Sequence, residues 1–258
     1  MTAKGSAIAG AAGALALLVF GAVAIAQGPG PRRPGMGFFG GPGFGGKVVT
    51  CYPFSAQAVS KLNETLNGRN TISRTECAII ARDGNGDTYE AVTPDADPNS
   101  PTCSSSTAKT IAITNVAAGM RYFINVTKGT YRQMTLKTPP PGARPPREGK
   151  DSKNMQKTDL GSNTISGVPA NGTQIVRTIP AGQIGNAEPI TITSTTWIAP
   201  SLEIVVQSSR VDSSRGTSNY QLSNIVPGEP QPSFFTLPSG LTLEQGGRRR
   251  RFQRPPAQ

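Results

Sequence analysis

Residues 189–210 read PITITSTTWIAPSLEIVVQSSR. Ile190 and Ile192 alternate with Thr191 and Thr193, and the run ends at Trp197, the only tryptophan in the chain. Ala199-Pro200-Ser201 follows, and then a second apolar run, Leu202, Ile204, Val205 and Val206. Alternation with period two marks a strand with one buried face, and β-branched residues favour the pleated conformation. Proline fixes the backbone dihedral that a tight turn needs at its second position. The stretch therefore predicts two long antiparallel strands joined at Pro200. A hairpin explains every residue in it without chemistry.

Working outward, the same texture recurs. Asn67-Gly68 and Asn85-Gly86 are hairpin pairs between Thr-, Val- and Ile-bearing runs. Val59, Leu62 and Leu66 also fit a helix over 55–66, but the Thr, Asn and Ser content favours a strand. Gly119 and Lys128-Gly129 punctuate a meander that carries Ile111, Ile113, Tyr122, Ile124 and Val126. In the second half, strands are expected near 163–168, 173–179, 189–198, 203–211 and 217–226, with Asn171-Gly172 and Arg215-Gly216 as turn pairs. The fold expected is mainly β: a curved antiparallel sheet or half-open barrel, with room for one helix.

Residues 1–26 carry Lys4, an apolar run rich in Ala and Gly, and a closing Ala24-Ile25-Ala26. This is the pattern of a secretory signal peptide cleaved after Ala26, with an uncleaved anchor as the alternative. Residues 27–46 are a Gly/Pro-rich linker containing Phe38, Phe39 and Phe44. A single β domain is expected over 47–241. Its Pro-rich loop at 138–158 is either an internal excursion or a boundary between two domains. Residues 242–258 form a basic, disordered tail. The net charge is +11. Outside the leader it gathers in 27–47, 138–158 and 244–258, and the rest of the body is balanced. A basic tail usually suggests nucleic acid, but export argues for an anionic envelope surface and against nucleic acid. A periplasmic or extracellular location follows, with the oligomeric state open.

Export places Cys51, Cys77 and Cys103 in an oxidising setting. Three is odd, so at most one internal bridge forms. Cys77 lies in a strand-like run and Cys103 in a loop returning toward it. A Cys77–Cys103 disulfide with Cys51 spare is expected, and three unpaired thiols are the alternative.

The chain has no histidine. That excludes Ser-His-Asp triads, Cys-His dyads and His-ligated metals. Asp83 to Asp87, DGNGD, begins like a calcium loop but places Thr88 and Pro94 where Gly and Glu belong, so a turn explains it. Acidic residues are sparse, and no cofactor or catalytic residue is expected. A hydrolase with a carboxylate pair is the enzymatic alternative.

The motifs Leu66 to Arg74, Arg82 to Gly86, Arg177 to Asn186, Thr196 to Leu202 and Leu222 to Pro238 give the sequence a resemblance. Over about 48–240 it resembles a group of uncharacterised secreted bacterial proteins, from which it departs at Cys51 and in the Gly84 to Glu90 turn. The last third, with its aromatic strand, Pro turn, aliphatic strand and Pro-x-x-Phe end, is similar in pattern to lipoprotein carriers of the LolA/LolB type. That likeness implies an apolar concavity able to hold acyl chains, with Trp197 at its mouth or floor. The expected function is that of an exported, non-enzymatic envelope protein binding an apolar or lipid-like ligand. Its candidate lining is Trp197, Ile192, Val205, Tyr122 and Tyr220. A structural or interaction module with a filled core is the main alternative.

Overall fold

The computed structural model describes residues 48–66, 70–136 and 154–244. The leader, the Gly/Pro linker, Asn67-Gly68, most of the Pro-rich segment and the Arg-rich tail lie outside the described residues.

The described chain forms one 12-stranded sheet. The first half holds β1 (Phe54–Leu66), β2 (Asn70–Arg82), β3 (Thr88–Thr93), β4 (Thr110–Asn115), β5 (Met120–Asn125) and β6 (Thr130–Thr135). The second holds β7 (Met155–Ile165), β8 (Val168–Ile179), β9 (Ile190–Ala199), β10 (Ile204–Asp212), β11 (Gly216–Pro227) and the two-residue β12 (Thr242–Leu243). The order across the sheet is β12-β6-β5-β4-β3-β2-β1-β11-β10-β9-β8-β7. Each half is an antiparallel meander, and the halves join where β1 pairs with β11. Only β12 runs parallel to its neighbour, β6. Residues 55–66 belong to a strand, as their Thr, Asn and Ser content predicts. No α-helix occurs among the described residues. A 3-10 turn at Pro232–Phe235 is the described helical element of the closing segment.

Two expected turns are placed differently. Asn171-Gly172 lies inside β8, and the chain reverses instead at Ser166-Gly167, where Ile165 pairs with Val168. Both turn residues have positive φ, 50° and 84°, as a two-residue type I′ turn requires. The β2–β3 connection is not a two-residue Asn85-Gly86 turn but spans 83–87. Asp83 Oδ1 accepts the N–H groups of Asn85 and Asp87 at 3.0 and 2.8 Å and closes the loop with its own side chain. The boundaries also differ from expectation: β7 begins at Met155, within the Pro-rich stretch, and the sheet extends to Leu243.

The sheet curls. β10 carries a bulge at Val205/Gln207, and its pairing with β11 stops at Gln207↔Gln221 while β11 continues along β1 to Pro227. Freed from β11, the near ends of β8, β9 and β10 fold onto the face of β1 and β2 that carries Phe54, Ala56, Ala58, Ala78 and Ile80. Bulges bend strands in this way. Leu202, Ile204, Val205, Val206, Ala199 and Ala170 pack there with Tyr220 and Leu222. Two polar bonds hold the fold-over. The Ser166 hydroxyl donates to the Leu222 carbonyl, three strands away from β8. Arg82, at the end of β2, donates to the Leu202 carbonyl in the β9–β10 turn and to the Tyr52 carbonyl at 2.9 and 3.1 Å, with its guanidinium 5.0 Å over the Phe54 ring. The face toward which the sheet curls is called the inner face below.

A second core lies on the outer face of β3–β6. Tyr89, Ala91, Ile113, Ile124, Tyr122 and Tyr131 are covered by Phe234, Phe235, Leu237 and Leu241 from the chain's closing segment. Phe234 stacks on Tyr89 with ring centroids 4.6 Å apart. The segment is anchored at one end by Glu229, which accepts the Gly84 N–H at 3.0 Å. At the other end Glu244 accepts from Thr130 Oγ1 at 2.7 Å and Arg132 Nε at 2.6 Å.

Candidate functional site

Strand alternation sorts the side chains of the curled sheet. Past the β10 bulge, the register from β8 to β2 is unbroken apart from the β1–β11 shift near Ser55. One inner-face row runs Thr173, Thr196, Ser208, Tyr220, Ser60, Glu76 across six strands. The next row outward is Ile175, Ser194, Arg210, Ser218, Leu62, Arg74. The one after it includes Ile192 and Asp212. The floor is thus hydroxyl-rich and made of small residues, and Ile175, Ile192 and Leu62 add apolar surface.

Most of these side chains are half-buried: Thr173, Ser194, Thr196, Ser208, Arg210, Ser218, Ser60 and Leu62. On the opposite face Lys61 and Asn63 of β1 and Asn219 and Gln221 of β11 are exposed, while Gln174, Thr195 and Ser209 of β8 to β10 are half-buried as well. No described element lies over the inner rows. Partial burial without a covering layer is what a concave surface gives, because the sheet shields itself.

At one end the concavity closes on the Phe54–Leu202 core. Beside that core, on the inner face of β3 to β5, stand ionisable groups. Glu90 is buried, 1% exposed, on the inner face of β3. It faces β4 through Ala112, whose small side chain leaves room for longer neighbours. Arg121, on the inner face of β5, lies 5.1 Å over the Phe123 ring. Burial lowers the Arg121 pKa, and the Glu90 charge pulls it partly back. Burial also pushes the Tyr220 phenol far above its usual value, and the Glu90 charge pushes it further. Tyr220 stands on β11, three strands from β3. That is about 14 Å in a flat sheet, so the curl is what lets one carboxylate act on both groups. One carboxylate thus acts on both Arg121 and Tyr220 in a poorly solvated setting, where such interactions are stronger than in water.

Of the residues expected to line a site, Tyr220 and Ile192 share the inner face, and Val205 is buried at the bulge beside them. The structure does not bring Tyr122 into that group. Trp197, on the other side of β9 from Ile192, packs against the core that holds Tyr220 and Val205, and its ring lies against Gly172. Tyr122 belongs to the outer core beside Tyr131, with ring centroids 6.2 Å apart. Sequence reasoning passed over Glu90, Arg121 and the hydroxyl row. A signal was present in TYEAVT, where Glu90 takes the inward parity shared with Val92.

Cys77 and Cys103 are joined by a disulfide, with Cα atoms 5.2 Å apart, which ties the β3–β4 loop to the outer face of β2. Cys51 is free and exposed.

No protein-family model matches the sequence, and no curated protein matches it either. Among solved structures, the chain is similar to one in the Pseudomonas aeruginosa MucA/MucB complex, with a TM-score of 0.41 and 9% identity over 79% of this chain and 62% of that one. It therefore spans about three fifths of that protein. It is also similar to a LolA superfamily protein from Nitrosomonas europaea, with a TM-score of 0.31 and 9% identity over 72% and 90% of the two chains. Lipoprotein LppX of Mycobacterium tuberculosis gives a TM-score of 0.25 and 14% identity over 69% and 87%. Lipoprotein-carrier-like proteins, the class that the last third resembles in pattern, thus stand among its structural neighbours.

Proposed function

We propose that this is an exported, non-enzymatic protein of the cell envelope that holds an amphipathic, lipid-like molecule in the concavity of its sheet. One observation carries the proposal: along the rows from Thr173 to Glu76 and from Ile175 to Leu62 the side chains are half-buried, Tyr220 being buried, with no described element over them. An acyl chain lies along Ile175, Ile192 and Leu62, and its polar end meets the Ser/Thr/Tyr row. Binding sites of this kind are mostly apolar with a few convergent polar groups. The leader-like segment at 1–26 supports export, and the basic segments support contact with an anionic envelope surface.

The test is titration of the full chain with cis-parinaric acid, a fluorescent fatty acid. Saturable enhancement is expected. Ser208→Phe fills the floor and should weaken binding about tenfold or more, whereas Ser209→Phe, on the other face, should leave it unchanged. Absence of saturable binding, or equal effects of the two variants, overturns the proposal and leaves the structural module standing.

A further inference from the structure

The two edges of the sheet are unlike. One edge, β12, has two residues. The other, β7, has eleven, and ten of them, Met155 to Thr164, are exposed whichever face they occupy. A strand with both faces in water gains little from side-chain burial and is held by its backbone bonds to β8. Its outer row of N–H and C=O groups is a template for another strand. Met155 and Leu160 are 46% and 38% exposed on it.

The charges on this edge select the partner. Lys157 and Asp159 are two residues apart, so they share one face of β7, opposite Ile175 and Thr173 of β8. A two-fold axis perpendicular to the sheet keeps each face on its own side, so it pairs residues of equal parity. Centred on Thr158, it sets Lys157 against the partner's Asp159 and Asp159 against the partner's Lys157. Centred one residue earlier, it sets lysine against lysine. Opposite charges directly across an antiparallel pair stabilise it and like charges oppose it. Asp159 Oδ1 accepts the Gly161 N–H at 2.8 Å, which leaves Oδ2 for a cross-strand cation. The bulge between Asp159 and Gly161 bends the strand and confines straight pairing to the segment around Thr158.

We infer that β7 is a homodimer edge: two copies pair antiparallel about Thr158, joined by two Lys157–Asp159 ion pairs, and the sheet continues from one subunit into the next. This does not depend on what the concavity binds.

The test is sedimentation velocity of the full chain at about 100 µM, with circular dichroism to show that each variant keeps its sheet. The unaltered chain should sediment as a dimer. Lys157→Asp alone and Asp159→Lys alone each place like charges across the axis and should weaken the dimer about tenfold or more. The two variants mixed in equal amounts should recover it, because one supplies only acids and the other only bases. A chain that stays monomeric at this concentration overturns the inference. So does a dimer indifferent to both variants, or a mixture that fails to recover.

Discussion

The indole of Trp197 lies over Gly172, its cross-strand partner on β8. A Cβ built at Gly172 would stand 2.6 to 2.8 Å from three carbons of the six-membered ring. The aromatic covers backbone that a strand glycine leaves bare. Gly172→Ala should therefore displace the ring and cost about 1–3 kcal/mol by overpacking. Trp197→Ala should cost about 2–4 kcal/mol, below a fully buried tryptophan because the ring is half-exposed. Once the ring is gone, the alanine at 172 should be nearly harmless. Urea unfolding followed by circular dichroism should thus give a double variant far less destabilised than the sum of the singles.

The cysteines give a thiol count. Oxidised protein should release one equivalent in a denaturing thiol titration, and Cys51→Ser should reduce it to none. Opening the Cys77–Cys103 bridge frees the β3–β4 loop and should lower stability by about 2–4 kcal/mol. A thiol detected at Cys77 or Cys103 in the oxidised protein contradicts the pairing.

Asp212 makes stability depend on pH. Burial raises its pKa, but hydrogen bonds from the Ser214 hydroxyl and N–H, then the Arg210 guanidinium, outweigh that and leave the carboxyl below its ordinary value. The bonds measure 2.7, 3.0 and 3.3 Å and close the β10–β11 turn. The unfolded chain therefore takes up a proton at a higher pH than the folded chain does. The contribution is whole above the usual carboxylate range, near pH 4, and is lost as pH falls through it. Asp212→Asn should cost about 1–2 kcal/mol at pH 7. Its deficit against the unaltered chain should shrink in melts run at progressively lower pH.

Adhesion to anionic membranes should depend on salt. The described sheet does not carry the surplus of positive charge; the segments 27–47, 138–158 and 244–258 do. Binding to vesicles containing phosphatidylglycerol should fall steeply as salt rises past about 0.15 M. Truncation after Glu244 should remove much of that dependence. Unchanged salt-sensitive binding by the truncated chain counts against an electrostatic role for the tail.

The strands were legible because alternation and turn residues are local signals. Ile190 to Thr193, Pro200 and Arg215-Gly216 each announce their structure within a few positions. Asn171-Gly172 misled because glycine has two uses: it permits a turn, and it makes room for a neighbour. Here the neighbour is Trp197, a residue distant in sequence, while the turn falls to Ser166-Gly167. Parity alone separates Trp197 from Ile192 onto opposite faces. What parity cannot give is the curl. The company kept by Glu90, Arg121 and Tyr220 depends on the sheet bending between β3 and β11, which the alternation of no single strand records.

The closing segment from Glu229 to Glu244 bears on the order in which the molecule is completed. A chain is made from its N-terminus, so β3 to β6 emerge long before Phe234, Leu237 and Leu241. Until then the outer face that carries Tyr89, Ile113 and Ile124 is bare, and β6 waits for its parallel neighbour. The first half can form its hydrogen bonds early but cannot bury that face until the segment carrying Phe234 to Leu241 has been made. The residues that let β3 to β6 set are thus contributed from more than a hundred positions further along the chain than Tyr131.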